Sequence, residues 1–141
     1  MVASQKNGFE EGDHTRFQTW IPAEGTEGGW DIGDICRKDG GLLLELIPDG
    51  AVRARFRCLQ LVWDAGSVVA CHITDETYRP DCWSGDLDSG RFYISRNSEY
   101  LERLACGSPL IPQDTIHFLL IGTNTVADVL ARETPAVRVT V

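Results

Sequence analysis

Two histidines and three carboxylates are the residues of this chain best suited to chemistry. His72 lies near the end of an apolar run that finishes in Asp75 and Glu76, while His117 and Asp128 lie in later apolar runs and could approach His72 from neighbouring strands. Two histidines with carboxylates would suit a divalent metal, and a histidine beside a carboxylate would suit acid–base catalysis. The spacing matches neither H-x-H nor H-E-x-x-H, so a structural role is favoured over a site formed by His72, Asp75, Glu76 and His117.

A second group consists of three arginines in alternate positions, Arg53, Arg55 and Arg57, between apolar residues of the segment 52–58. In a strand they would share one face, with neighbours roughly 6 to 7 Å apart. A solvated strand face is the favoured interpretation. The alternative is a binding site for an anion or an acidic partner, because arginine pairs well with carboxylate and phosphate oxygens.

The third candidate is the loop 78–90, the longest polar connection inside the domain. A loop that carries an aromatic residue, an arginine and several acids has the composition of a recognition surface. An alternative is that its tryptophan folds back over the core. The residues predicted to bind a partner are Tyr78, Arg79, Trp83, Asp86 and Asp88.

Motifs for covalent catalysis are missing from the sequence. It has no G-x-S-x-G elbow, no P-loop, and no G-x-G-x-x-G following a predicted strand. Cys71 precedes His72, but neighbouring strand residues point to opposite faces and cannot pair directly. The sequence therefore favours a protein that is not an enzyme, and it predicts no cofactor.

Successive turn signals between apolar runs predict an antiparallel meander from Trp30 to Asp75. The first turn contains Asp39 and Gly40, a preferred pair for a two-residue hairpin. Proline, aspartate and glycine at 48–50 form the second turn, and the residues 64–67 form the third. Connections this short favour antiparallel neighbours at each step.

The alternation of apolar and polar residues in the predicted strand 52–58 changes phase at Cys58 and Leu59. From there Leu59, Leu61 and Trp63 continue the apolar series on what had been the arginine side. Either a bulge redirects the strand, or another element covers its second face. The candidate for that cover is a helix from Ser98 to Cys106, with an N-cap at Asn97 or Ser98 and a left-handed stop at Gly107.

Further strands are predicted at 17–21, 91–95, 116–121 and 137–141, whereas 126–130 is ambiguous between strand and helix. The fold class that follows is α+β, a mainly antiparallel sheet with one short packed helix, and a barrel-like closure is the alternative. The chain has 141 residues, near the commonest domain size. Residues 1–14 are predicted to be a mobile tail, and residues 15–141 a single domain.

Charge and cysteine content bound the environment and the partners. The net charge of −8 disfavours nucleic-acid binding, and no apolar run approaches the roughly 20 residues that span a bilayer. No basic segment followed by an apolar run begins the sequence, so no signal peptide is predicted, and the five cysteines, without a C-x-x-C pair, favour free thiols in a reducing cytoplasm. A disulfide between Cys71 and Cys82 is the alternative for another compartment.

The segment from Val69 to Glu76, the Asn97-Ser98 pair before a helix, and Thr123-Asn124 before Asp128 together resemble small bacterial proteins of uncharacterised function. The resemblance extends over residues 52–135 and implies no activity. In size and charge the chain is also similar to immunity-type proteins of toxin systems, an analogy that does not establish function.

Two functions are therefore expected from the sequence. The first is a protein-binding module without enzymatic activity, for example an acidic inhibitor or immunity-type protein with a basic partner. The second is a domain or enzyme that binds a small ligand or a metal in a pocket near His72, Asp75, Glu76 and His117. Homodimerisation through the edge formed by 137–141 is compatible with either function.

Overall fold

The computed structural model describes residues 16–82, 87 and 91–141. The predicted tail at 1–14 lies outside these residues. Short 3-10 helices occupy Gly50–Ala54, Glu76–Tyr78 and Pro80–Cys82, and the α-helix α1 spans Glu99–Gly107. The strands are β1 (Gln18–Thr19), β2 (Trp30–Lys38), β3 (Gly41–Pro48), β4 (Cys58–Trp63), β5 (Val68–Asp75), β6 (Arg91–Ser95), β7 (Ile116–Ile121), β8 (Thr125–Ala131) and β9 (Ala136–Thr140).

The strands form two separate antiparallel sheets packed face to face. One sheet has five strands in the order β1-β6-β7-β8-β5, and the other has four in the order β2-β3-β4-β9. Every neighbouring pair of strands is antiparallel. The predicted α+β class with a mainly antiparallel sheet is confirmed, whereas the alternative of a closed barrel is wrong.

Apolar side chains from both sheets alternate inward and build one core between them. The four-stranded sheet contributes leucines of β3 and β4 together with Trp63, all at most 2% exposed. Phe118 of the five-stranded sheet meets Trp63 edge to face, with ring centroids 5.3 Å apart. The face of β4 that carries Leu59, Leu61 and Trp63 is thus covered by the opposite sheet. The prediction that the helix covers this side is wrong.

The first half of the predicted meander is confirmed. Asp39 and Gly40 have φ values of 54° and 81°, as a type I′ turn requires, and they join β2 to β3. Strand β3 then pairs with β4. The third turn does not make a hairpin, because β9 occupies the place beside β4, and the chain crosses after Trp63 to form the edge of the other sheet. A turn signal marks a reversal of the chain, but it does not specify which strands become hydrogen-bonded neighbours.

The predicted strand at 52–58 is wrong, since a 3-10 helix occupies Gly50–Ala54 and β4 begins only at Cys58. Val52 reaches the core from this helix and Phe56 from the residues just after it, while Arg53, Arg55 and Arg57 are exposed but do not share a strand face. The Arg55 guanidinium carbon lies 5.2 Å from the centre of the Phe56 ring. The apparent change of phase at Cys58 is therefore the start of a strand. Without the strand, the arginine geometry assumed for an anion site is lost.

The helix and the later strands agree with expectation. Ser98 caps α1 by accepting a hydrogen bond from the Leu101 N–H. The ambiguous segment is strand β8, and 137–140 falls within the edge strand β9. Gly107 does not adopt the predicted left-handed conformation, because the helix instead ends through Ser108, whose N–H donates to the Leu104 carbonyl. Within the described residues, no helix is long and apolar enough to cross a membrane.

Candidate functional site

The outer face of the five-stranded sheet, which we term the covered face, carries a second layer. Helix α1 and the 3-10 turns after β5 lie over it, and Phe17 packs at its margin beside β1. Under this layer lies a small second core, separate from the core between the sheets. Its buried residues are Cys82, Leu87, Tyr93, Leu119, Ile121 and Val126.

A polar network crosses the covered face beside this second core. The Ser98 Oγ lies 2.8 Å from Nδ1 of His117, and Nε2 of His117 lies 2.7 Å from Oδ1 of Asp128. The other oxygen of Asp128 accepts a hydrogen bond from Arg79, and Arg79 also binds Asp81 through Nε and Nη2 at 3.1 Å. Ser98, His117 and Asp128 are at most 2% exposed, so the centre of the network is almost fully removed from water, whereas Asp81 lies at the surface.

One arrangement of protons satisfies every bond in the centre of the network. An ionised carboxylate only accepts, so Nε2 of His117 carries the proton that is donated to Asp128. Nδ1 is then free to accept from the Ser98 hydroxyl, and the same hydroxyl oxygen accepts from the Leu101 N–H. A buried polar network that is fully satisfied holds its members in fixed positions. The covered face therefore has a rigid polar centre.

Local structure places each member of the network. His117 and Asp128 project outward from the paired strands β7 and β8, where the register sets Asp128 opposite Leu119, two residues after His117. Ser98 arrives as the N-cap of α1, and Arg79 lies between the two 3-10 turns that follow β5. The sequence suggested that His117 and Asp128 could approach His72 from later strands, and Asp128 lies directly opposite His72 in the register of β5 and β8. The roles of Ser98 and Arg79 in the network were not predicted.

Charge pairing explains the ionisation of Asp128. Burial by itself would raise the pKa of this carboxyl, but the hydrogen bond from His117, together with the positive charge and the hydrogen bond of Arg79, outweighs burial and leaves the pKa below its ordinary value. For Arg79, burial lowers the pKa, and the carboxylates of Asp81 and Asp128 more than offset it, so that the pKa is raised. Both groups are therefore charged at neutral pH.

Beside the network, the covered face opens into a cavity of about 560 Å³. This volume lies within the range of about 300 to 1,000 Å³ that is usual for small-molecule sites. Apolar and aromatic side chains form one part of its lining and charged or polar side chains the other. The lining residues are Phe17, His72, Arg79, Asp81, Leu87, Ser98, Glu99, Tyr100, Arg103, His117 and Leu119.

Two of the four residues of the predicted metal site line this cavity. His72 lies on β5 directly opposite Asp128 of β8, and its ring is exposed at the rim, whereas His117 lies at the base. Asp75 instead caps a 3-10 turn by accepting from the Thr77 N–H, and the Glu76 N–H donates to the Asn124 carbonyl. Among residues 16–82, 87 and 91–141, no three potential ligands converge as a metal site would require.

The Ser98, His117 and Asp128 network has the residue types of a nucleophilic triad, but two features oppose that chemistry. Ser98 is only 1% exposed, and its oxygen already accepts the hydrogen bond that caps α1. The rings of Phe17 and Tyr100 meet His117 edge to face, with centroids 5.3 and 5.2 Å away. A nucleophile has to reach a substrate carbonyl, and the burial of Ser98 together with its capping hydrogen bond opposes this. The geometry favours a structural network at the base of the cavity.

The loop predicted to bind a partner is described only in part. Tyr78 is 76% exposed and available for contact, whereas Arg79 is turned inward to Asp128 and Asp81. Trp83, Asp86 and Asp88 lie outside the described residues. The interpretation of Arg79 as a surface contact is therefore replaced by its role in the buried network.

The cysteines agree with the expectation of free thiols. All five are unpaired in the structure. Cys71 packs toward the core between the sheets, whereas Cys82 is buried in the second core on the covered face. The two thiols lie on opposite sides of one sheet, so the alternative of a Cys71–Cys82 disulfide does not fit the fold. Burial raises the pKa of Cys82 to about 12, which keeps this thiol protonated.

Phe17, Tyr100 and Leu119 complete the cavity without having been singled out in the sequence. Tyr100 was expected only on the apolar stripe of the helix, and Phe17 only in a strand. The periodicity of α1 shows that Tyr100 faces the sheet, but not that it faces His117. Comparison with known proteins finds no match to this chain among family models, curated proteins or solved structures.

Proposed function

We propose that the protein binds a small molecule in the cavity on the covered face. The observation that carries this proposal is an open cavity of about 560 Å³ beside a rigid, buried polar network. Pockets that combine an apolar lining with a few fixed polar groups are typical ligand sites. A rigid base also reduces the entropy lost on binding, because the lining is already in place.

The lining suggests the chemistry of the ligand. Arg79 and Arg103 are each paired with a carboxylate, Asp81 and Glu99 respectively, and Asp128 adds a further negative charge beneath. The site therefore has no surplus of positive charge to attract an anion. Phe17, Leu87, Leu119 and the Tyr100 ring provide an apolar surface. These features support a ligand with an apolar body and a neutral or cationic polar group.

Binding at this cavity can be tested by filling it. Tryptophan at position 72 would project into the cavity rim, and an aromatic residue is compatible with an exposed strand position. The matched control is Ile73→Trp, because Ile73 adjoins His72 on β5, does not line the cavity and is 39% exposed. Ligand-observed NMR with a library of neutral and cationic aromatic fragments should give hits for the wild type and for Ile73→Trp, but not for His72→Trp.

Two results would contradict the proposal. One is the absence of any fragment that binds the wild type at millimolar concentration. The other is a set of hits that His72→Trp retains unchanged, since those fragments would be bound elsewhere on the surface. In spectra of the isotope-labelled protein, the chemical shifts of Phe17 and Leu119 should change when a hit is added, which would place the bound fragment at the cavity.

Binding of a basic protein partner is a second candidate function, favoured by the exposure of Tyr78. This ring is 76% exposed at the start of the loop 78–90, and the chain carries a net charge of −8. Exposed aromatic residues are common anchors of interfaces, and complementary charge accelerates association. Affinity capture from the native host should yield a basic protein in stoichiometric amount, retained less well by Tyr78→Ala. Recovery of no such protein would count against this candidate.

A further inference from the structure

The outer face of the four-stranded sheet, which we term the open face, differs from the covered face because its outward side chains remain accessible. One row across the strands is apolar and consists of Cys36, Leu43, Val62 and Ala136. Cys36 and Ala136 at the ends are exposed, and Leu43 and Val62 are half-buried. Ile47, outward on the same strand as Leu43, is 44% exposed. Glu45 lies between Leu43 and Ile47 on this strand, so the continuous apolar surface is the row of four, and accessible apolar residues bordered by polar ones are typical of association sites.

The next row carries opposite charges on its two sides. Glu45 of β3, Gln60 of β4 and Arg138 of β9 are directly opposed in the register. Glu45 and Arg138 are therefore two strands apart, about 10 Å, with the amide of Gln60 between them. The Cys58 thiol and the Gln60 amide both donate to Glu45, which holds its carboxylate against the sheet. The row is acidic at β3, neutral at β4 and basic at β9.

A two-fold axis parallel to β4 makes this pattern self-complementary. Rotation about such an axis, lying in the plane between two stacked sheets, sets β3 of one copy over β9 of the other and β4 over β4. Glu45 then faces Arg138 of the second copy, and the reverse contact follows by symmetry. In the apolar row the large Leu43 faces the small Ala136, and Val62 meets Val62. Charge and size are both matched by one operation.

We propose that the open face binds a second copy of this chain, forming a homodimer with stacked four-stranded sheets. The arrangement repeats the face-to-face packing of sheets that already builds the core between the two sheets of one chain. The apolar row supplies the attraction, and the pairs between Glu45 and Arg138 fix the register. This dimer differs from the edge-to-edge dimer that the sequence suggests for 137–141, because it uses the face of the sheet.

The size of the face sets the expected strength. Three stacked strands, each contributing about five residues, cover an area on the order of 15 by 17 Å. Stable interfaces bury about 800 Å² per partner, which is more than this face can provide. We therefore expect a weak dimer with a dissociation constant in the micromolar range or above. Its population should depend on protein concentration.

The proposal can be tested by reversing the charges at positions 45 and 138, singly and together, and measuring dimerisation of each variant by sedimentation velocity. The wild type should shift from monomer toward dimer between about 10 and 500 µM. Glu45→Arg and Arg138→Glu should each weaken dimerisation by about tenfold, since each creates two like-charged contacts across the axis. The double variant Glu45→Arg/Arg138→Glu restores both pairs with their signs reversed. Its dissociation constant should return to within about threefold of the wild type.

Control variants and alternative outcomes make the test decisive. Arg96→Glu makes the same change of net charge as Arg138→Glu at an exposed position after β6, away from the open face, and it should leave the dimer unchanged. Edge-to-edge pairing through β9 would leave Glu45→Arg without effect, because Glu45 lies two strands from that edge. That result overturns the proposal, as do a monomer at every concentration and a double variant without rescue. Circular dichroism should confirm that each variant is folded.

Discussion

The covered face and the open face are outer surfaces of two antiparallel sheets, yet they place polar residues in opposite environments. On the covered face, Asp128 is fully buried and paired with His117 and Arg79. On the open face, Glu45 is only half-buried and has one amide and one thiol as partners. Removal of one member of a buried charge network leaves the others unsatisfied, whereas water replaces a lost partner at the surface. The layer above each sheet, more than the residue type, decides what its polar residues contribute.

The largest effect is expected when Asp128 is replaced by alanine. The substitution leaves the half-buried Arg79 guanidinium without its inner partner and leaves Nε2 of His117 without an acceptor. Breaking a buried ion pair in this way costs about 3 to 5 kcal/mol. Urea denaturation followed by circular dichroism measures the loss in the free energy of unfolding. Asp128→Asn, which keeps the shape and can accept from His117, should lose less. A loss below about 1 kcal/mol for alanine would show that the network contributes no more than a surface pair.

The sequence predicted more of the open face than of the covered face. Asp39 and Gly40 specify their turn locally, so the antiparallel pairing of β2 with β3 could be predicted from the sequence. The covered face depends on contacts between distant segments. His117 and Asp128 were expected only to approach His72 from later strands, and nothing near Arg79 or Ser98 in the sequence indicates that they complete the network.

The error at 52–58 has a similar cause. Alternating apolar residues and arginines favoured a strand, yet a 3-10 helix occupies Gly50–Ala54, and Val52 within it and Phe56 just after it are both buried. Those two residues are four apart, a spacing compatible with either a strand or a helical turn. The tertiary contact between Trp30 and Phe56, with ring centroids 5.9 Å apart, selects the turn. A local pattern could not have distinguished the two structures.

Acid should weaken the covered face through the same carboxylate. The folded-state pKa of Asp128 is lower than its unfolded value of about 3.9, so its ionisation stabilises the fold fully above about pH 5. The contribution is lost as pH falls through the folded-state pKa. The difference in unfolding free energy between wild type and Asp128→Asn should therefore be constant from pH 7 to about 5 and shrink below about 4.

Two exposed carboxyl groups also have lowered pKa values and add to the acid sensitivity of the wild type. The comparison of wild type with Asp128→Asn separates their contribution from that of Asp128. The Thr77 N–H lowers the pKa of Asp75, and a hydrogen bond from Arg132 lowers that of Asp114. Both groups are present in wild type and variant, so their contributions cancel in the difference. A difference that stays constant down to pH 2 would contradict the assignment of the acid-sensitive contribution to Asp128.

Ser98→Ala should have an intermediate effect. It removes the N-cap of α1 and the hydroxyl that donates to His117, two losses that together cost about 1 to 2 kcal/mol. Ser98→Thr retains the hydroxyl and should recover most of the stability, as measured by urea denaturation. The wild-type protein should resist labelling by a fluorophosphonate probe in intact-mass analysis, since Ser98 is buried as the N-cap of α1. Rapid stoichiometric labelling of Ser98 would instead identify it as a nucleophile.

Glu45→Ala on the open face should have the smallest effect. The substitution removes hydrogen bonds from Cys58 and Gln60, but these donors lie at a surface that water can reach. We expect a change below about 0.5 kcal/mol in unfolding free energy, measured by urea denaturation at a concentration where the chain is monomeric. The comparison with Asp128→Ala then isolates the effect of the covering layer, because each substitution removes one carboxylate from an outward strand position. A loss above about 1 kcal/mol at Glu45 would mean that burial is not what separates the two faces.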